Sequence, residues 1–292
     1  MRKTMGPFQI SVLSDEISQD FGHACEIATK KFGMRWIELR TLWDKNIVAL
    51  DSNEIAEAVR LVKNNELHVS GIAGPLFKVD WRGAPIRQNE QRDQFNAAFT
   101  FSQQDEVLER SLALAETFGS PRVRCFDFWR LDDQEPYREA MNQILHNAAE
   151  KAGRRGITLV LENEHACNTA TGEEAATVLA QVRSKHFMLN WDPGNAAMAG
   201  ETPYPNGYEL LPKDRIGLCH CKDVVVNGSK REWAAVGYGM IDWLGQFAAL
   251  RRDGYRGVLS LETHWRGAGS AESSSAQSWE GMKVALERAA AA

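Results

Sequence analysis

The chain lacks most of the features that would place it outside a cell's reduced interior or on a membrane. Its five cysteines, Cys25, Cys125, Cys167, Cys219 and Cys221, are odd in number and form no C-x-x-C pair. This argues against a disulfide framework and against a thiolate zinc site, and a reduced cytoplasmic protein is the expectation. No apolar run approaches the roughly 18 residues of a membrane span. No apolar stretch follows Arg2 and Lys3, so no signal peptide is expected. There is no excess of basic charge: the formal net charge is −5, and no Lys/Arg stripe is visible, so neither nucleic acid nor a membrane is an expected partner. No G-x-G-x-x-G follows the first apolar run, which leaves a dinucleotide crevice unsupported.

What the chain does have is rhythm. With 292 residues, 43% of them hydrophobic, it can build one sizeable core, and about 250 residues is typical of a (β/α)₈ barrel. Eight short apolar runs read as strands buried on both faces: Phe8–Leu13, Arg35–Leu39, Leu67–Ile72, Pro121–Phe126, Ile157–Glu162, His186–Trp191, Ile216–Cys221 and Gly257–Leu261. Amphipathic helical patterns separate most of them. Asp51-x-x-Glu54 and Thr171-x-x-Glu174 are capping-box signatures, Asp242 opens a further helix, and Gly119, Gly153 and Gly254 close helices. Between the sixth and seventh strands Pro203, Pro205, Gly207 and Pro212 interrupt the helical pattern. Strand–helix alternation repeated eight times predicts an α/β fold, a single (β/α)₈ TIM barrel spanning residues 1–292, over the alternative of an open doubly wound sheet. The long segments 74–96, 127–135, 195–212 and 222–240 all follow strands, which would gather them on the C-terminal face. Arg266–Ser278, rich in Gly, Ala and Ser, reads as a flexible loop near that face.

Four consecutive strands end on side chains that can ligate a metal. The fifth ends on Glu162, the sixth runs into Asp192, the seventh carries His220 and the eighth runs into Glu262. In a parallel barrel these ends converge on one mouth, and three carboxylates with one imidazole suit a divalent cation, Mn²⁺ first, with Mg²⁺, Co²⁺ and Zn²⁺ as the others. Side-chain alternation agrees: Asn190, Ser260, Lys222 and His264 share the inward parity, while Leu189, Trp191, Cys219, Cys221, Leu259 and Leu261 face the helices. A lone acid at a strand end is more often a helix cap or a surface residue. Four in a row, which would repel one another without a cation, are harder to explain that way.

Other residues at the mouth carry two readings each. Glu38 and Arg40 end the second strand and could bind substrate or form a structural pair, and Asp15 and Glu16 read first as helix caps. His165, Asn195 and Lys222 are candidate substrate contacts, with Lys222 able to neutralise a developing oxyanion. Arg82, Arg87, Arg124, Arg130 and Lys222 could each serve a phosphate, and none is singled out. Trp43, Phe77, Trp81, Phe128, Trp129, Trp233 and Trp265 follow strand ends and could wall a sugar's C–H faces or anchor loops; Trp129 is the substrate candidate among them.

Taken together, Leu161-Glu162-Asn163, Trp191-Asp192-Pro193-Gly194-Asn195, His220-Cys221-Lys222-Asp223, Gly237-Tyr238-Gly239-Met240-Ile241-Asp242-Trp243 and Ser260-Leu261-Glu262 resemble the xylose isomerase-like TIM barrel superfamily, the sugar isomerase and epimerase group. The resemblance implies a metal held by Glu162, Asp192, His220 and Glu262, and a small sugar or keto-sugar substrate. It also implies proton abstraction next to a carbonyl through an enediolate, with Glu162 and Glu262 as the acid–base pair. Many family members carry a histidine where this chain has Asn195. Dehydratases and lyases of the same superfamily share the proton abstraction. A three-zinc endonuclease for abasic DNA needs more strand-end histidines than this chain's seven supply. A non-catalytic sugar-binding barrel is the reading from another class, and a homo-oligomer is left open.

Overall fold

A computed structural model describes residues 6–85 and 92–291; Arg2, Lys3 and Arg87 lie outside the described residues. The eight expected strands are present, trimmed by a residue or so at their ends: β1 Gln9–Val12, β2 Trp36–Leu39, β3 His68–Ile72, β4 Arg122–Cys125, β5 Thr158–Glu162, β6 Phe187–Trp191, β7 Ile216–Cys221 and β8 Val258–Leu261. All seven ladders are parallel and join neighbours in chain order, from β2 through β3 to β8 and then to β1. Between β1 and β2 a single bridge, Leu13 to Glu38, brings the ring to near closure. The chain is a (β/α)₈ barrel.

The helices form where local chemistry starts and stops them. Eight are named here: α1 Phe21–Glu26, α2 Ser52–Asn64, α3 Gln104–Phe118, α4 Glu135–Gly153, α5 Gly172–Gln181, α6 Pro193–Met198, α7 Trp243–Arg252 and α8 Ala271–Ala291. Both expected capping boxes are made, Asp51 with Glu54 and Thr171 with Glu174, and Asp242 accepts from the Gly245 N–H. Each such cap contributes about 1 kcal/mol. α3 ends where Gly119 turns left-handed at φ 65°. The proline-interrupted stretch holds short turns in place of a long helix: α6 is followed by Pro203–Gly207, Tyr208–Leu210 and Lys213–Arg215. Helix-facing parity holds as expected: Trp191 Nε1 donates to Gln246 of α7 at 2.9 Å.

Two expectations need correction. Arg266–Ser278 is not a flexible loop throughout, because α8 begins at Ala271. Ser274, Ser275 and Ser278 are fully buried, and Ser275 Oγ donates to the Glu16 carbonyl at 2.7 Å, so the small side chains let α8 lie close to the barrel. A Cβ on Gly281 would collide with the Val236 carbonyl, which demands glycine there. Nor are Asp15 and Glu16 helix caps. The short turn Ser14–Ile17 has no side-chain cap, and both acids bind Arg40.

The segment after β7 contains an antiparallel hairpin, Asp223–Asn227 with Lys230–Ala234. Its two-residue connection begins with Gly228 at φ 63°, the backbone such a turn requires. Asp223 pins its base to the glycine-rich segment by accepting the N–H groups of Gly237, Gly239 and Ile241. Burial nonetheless pushes the Asp223 carboxyl up to about 6.

Candidate active site

The four strand-end ligand candidates meet. Donor atoms of Glu162, Asp192, His220 and Glu262 all lie within 4.8 Å of one another, and all four residues are buried. Each is oriented by its local structure. Asp192 caps α6: Oδ1 accepts the Asn195 N–H at 2.8 Å, while Oδ2 faces the cluster, 2.9 Å from Lys222 Nζ and 3.7 Å from His220 Nδ1. Asn163 fixes the backbone here, accepting the Asp192 N–H at 2.7 Å and donating to the Asp192 carbonyl at 2.8 Å. His220 turns Nδ1 to the carboxylates, 3.0 Å from Glu262 and 3.6 Å from Glu162. Its Nε2 lies 3.2 Å from Glu38. A carboxylate on the second nitrogen sets the tautomer and ring plane of an imidazole that binds a cation through the first. The donor set therefore fits a divalent cation: three carboxylates and one oriented imidazole, all with donor atoms in mutual reach.

The substrate candidates fall in different places. Asn195 is buried, its amide donating to Glu162 Oε1 at 3.1 Å. Lys222, 1% exposed, puts Nζ 2.7 Å from Glu262 and 2.9 Å from Asp192. His165 lies at the rim, 2.7 Å from Glu164 and 3.2 Å from Asn195 Oδ1. Glu38 is buried behind His220. Trp129 is buried, its ring facing Lys78 Nζ at 5.3 Å.

The aromatic candidates also divide. Phe77, Trp81 and Phe128 pack together as loop anchors, and Trp43 packs against Phe21. Trp233, carried by the hairpin, lies over the mouth, edge-on to His264 at 5.1 Å and to His165 at 6.0 Å, with Lys222 Nζ 5.2 Å from its ring. Among the phosphate candidates, Arg130 pairs with Glu174 and Arg82 is exposed beside a cavity on the flank lined by Phe77 and Phe101.

The charges explain how so many acids share a buried site. Burial raises the Glu162 carboxyl, but Arg124 at 3.0 Å and His220 outweigh it and hold the group at about 2. Burial likewise opposes ionisation of Glu262, and Lys222, His264 and His220 hold it well below the carboxylate range. Asp192 goes the other way: burial raises it, against the pull of Lys222. Burial lowers His220, yet Glu38, Glu162 and Glu262 together raise it well above the usual imidazole value. Cation binding therefore competes with a proton on His220.

The structural pairing open to Arg40 is made with partners other than Glu38, while the contacts of His264 and Phe95 escaped the sequence reading. Arg40 joins Asp15 at 2.8 Å, Glu16 at 2.8 Å and Glu262 at 2.5 Å. His264 lies 3.0 Å from Glu262 with its backbone at φ 49°, an unfavourable left-handed value of the kind found at functional sites. Its inward parity was the available signal. Phe95 reaches the mouth from the segment after β3, where no periodicity marks it.

The family model described as xylose isomerase-like TIM barrel matches residues 27–286. Among solved structures the chain is similar to the zinc-bound IOLI protein (TM-score 0.72, 17% identity, covering 96% of this chain and 98% of that one). It is similar to the probable 3-DHS dehydratase AsbF from Bacillus anthracis (TM-score 0.70, 16% identity, 95% and 98% covered). It is also similar to an L-ribulose 3-epimerase (TM-score 0.68, 19% identity, 97% and 95% covered). At these identities the likeness shows a common fold. No curated protein matches the sequence significantly.

Proposed function

The chain belongs to the xylose isomerase-like TIM barrel family, and from that premise we propose that it is a divalent-metal-dependent isomerase or epimerase. Its substrate is a small sugar or keto-sugar, which it converts by removing a proton next to a carbonyl through an enediolate. The observation that carries this reading is the buried convergence of Glu162, Asp192, His220 and Glu262. Those four would hold the cation, Mn²⁺ first, and its contribution when bound is Lewis-acid polarisation of the substrate oxygens.

The chain's own residues supply the proton chemistry. Glu162 and Glu262 come from β5 and β8, the two ends of the ligand-bearing arc, and each has one oxygen on the cluster and the other on an arginine: Glu162 Oε2 on Arg124 and Glu262 Oε1 on Arg40. The arginines fix the carboxylates in position and keep them ionised, so that each can accept a proton at neutral pH, at some cost in basicity. A substrate between them meets a base on either face. Epimerisation follows when the other glutamate, having taken a proton from water, delivers it to the opposite face while the first releases its own to solvent; isomerisation follows when the first glutamate delivers the abstracted proton to the neighbouring carbon. Lys222, buried between Asp192 and Glu262, places an ammonium where negative charge develops on oxygen. The same ammonium supports a second reading, dehydration, in which it protonates a departing hydroxyl after the same proton abstraction; the likeness to a probable dehydratase supports considering it.

The test is metal content by plasma mass spectrometry, followed by solvent-deuterium incorporation into a panel of keto-sugars by NMR. We expect about one divalent ion per chain, weakened or lost in His220→Ala, and exchange at the carbon beside the carbonyl that vanishes in Glu162→Gln or Glu262→Gln. A chain that takes up no cation even when offered Mn²⁺, Co²⁺ or Zn²⁺, and is indifferent to His220→Ala, would sink the proposal.

A further inference from the structure

The side of the mouth opposite the metal ligands carries more hydrogen-bond donors than its neighbours use. Three cations surround one half-buried ring: Lys78 Nζ lies 4.1 Å from the centre of Phe95, and the guanidinium carbons of Arg40 and Arg124 lie 4.8 Å from it. Arg40 is saturated by Asp15, Glu16 and Glu262. Lys78 and Arg124 are not. Among the described residues Lys78 has one oxygen partner, Glu164 at 3.2 Å, and otherwise faces the rings of Phe95, Phe126 and Trp129. Arg124 gives Nη1 to Glu162 and Nη2 to the Ala73 carbonyl, while its buried Nε has no partner. Both residues are almost wholly buried, so water does not readily make up the deficit. A ring face attracts a cation, but less strongly than an anion that accepts its hydrogens.

The ring is also held there under strain. Phe95 and Asn96 adopt left-handed backbone at φ 56° and 58°, a region bulky residues avoid. The Asn46 amide fixes this conformation by donating to the Gln94 carbonyl at 3.2 Å and the Phe95 carbonyl at 2.9 Å. Unmet buried donors beneath a strained apolar ring describe a covered anion site.

We propose that Lys78 and Arg124 form a carboxylate subsite, that the substrate is accordingly a sugar-like hydroxy- or keto-acid, and that the Phe95 ring covers the subsite until the carboxylate replaces it. This deepens the reading above and rests on it in one respect: Arg124 touches both Glu162 and the subsite, which places the carboxylate one guanidinium away from the proton chemistry. A carboxylate fits better than a phosphate. One free Nε donor and one ammonium match its two oxygens, while Glu162 and Glu164 already claim part of the positive charge a phosphate dianion would need.

The test is calorimetric binding of gluconate, its neutral counterpart glucitol, and inorganic phosphate to the full chain, both metal-loaded and metal-free. Wild type, Phe95→Ala, Phe95→Ala/Lys78→Met and Phe95→Ala/Lys78→Arg are compared. In Phe95→Ala, gluconate should bind about tenfold or more tightly than glucitol, the effect of one charge-assisted hydrogen bond. The preference should persist without metal, weaken in wild type, disappear with Lys78→Met and return with Lys78→Arg. Equal binding of gluconate and glucitol in Phe95→Ala overturns the proposal, whether or not the Lys78→Met chain folds; so does a preference that survives Lys78→Met. Phosphate binding as tight as gluconate overturns the carboxylate assignment. Because the preference is read in metal-free protein as well, failure of the metal site would count against the isomerase reading and leave this result standing.

Discussion

The two sides of the barrel mouth are built from the same kind of strand end and carry opposite chemistry. The ends of β5 to β8 contribute Glu162, Asp192, His220 and Glu262, four potential ligands in mutual reach. The ends of β2 to β4 and the segment after β3 contribute Arg40, Arg124 and Lys78, gathered around an aromatic ring. Neither side is self-sufficient. Arg124 crosses to Glu162, Arg40 crosses to Glu262, and Glu38 crosses to His220. The acidic side gathers the candidate ligands, and the basic side holds Glu162 and Glu262 ionised and in place. A buried acid cluster of this kind exists because its counter-charges are built into the neighbouring strands.

Three changes would break or sharpen this division, in descending order of effect. Arg40→Met removes a partner of three buried carboxylates at once: Asp15 loses the cation it is paired with, while Glu16 keeps Arg266 and Glu262 keeps Lys222. Loss of about 3–5 kcal/mol of unfolding free energy is expected, read by urea denaturation; an unchanged midpoint would mean the two sides are energetically independent. Glu38→Gln keeps all four ligand candidates but weakens the acceptor behind His220. Cation affinity should fall about 10–100-fold with the fold intact, and competitive titration against a chromogenic chelator would show it. The smallest effect is on acid stability. Burial opposes ionisation of Glu16, but His264, Arg40 and Arg266 hold its folded pKa at about 2, below the ordinary 4.5. A depressed carboxylate pKa contributes stability that is present above 4.5 and lost as pH falls towards 2. Melting temperatures of metal-free wild type should therefore drop over that window, and Glu16→Gln, starting lower, should drop less steeply; parallel curves would contradict the assignment.

How much of this was legible in the sequence follows from what each region buries. The strands were readable because parallel strands covered on both faces are nearly continuous apolar runs, and Ile216–Cys221 was met to the residue. Glu162, Asp192, His220 and Glu262 stood out because a polar group that ends such a run breaks the pattern. The basic side had no such contrast. Lys78 and Phe95 sit in irregular segments, where a buried lysine and an exposed one look alike, and only the tertiary structure shows that Lys78 is 4% exposed. Asp15 and Glu16 were misread because an acid beside a helical turn is usually a cap, and their true partner, Arg40, lies on the next strand. α8 was partly misread as a loop because Ser, Ala and Gly describe both flexible chain and a helix packed at close range. The hairpin after β7 did leave a trace, the two-residue Gly228-Ser229 link between strands.

Between β1 and β2 the barrel has a single bridge in place of a ladder. That gap is spanned by Arg40, which rises from the end of β2 to grip Asp15 and Glu16 beyond the end of β1. The ring of strands is thus fastened by a clasp at one point and woven everywhere else, and the clasp's third finger rests on Glu262. Closing the barrel and fixing that glutamate are one mechanical act, so a chain whose ring has not shut has not yet set Glu262 beside Asp192 and His220.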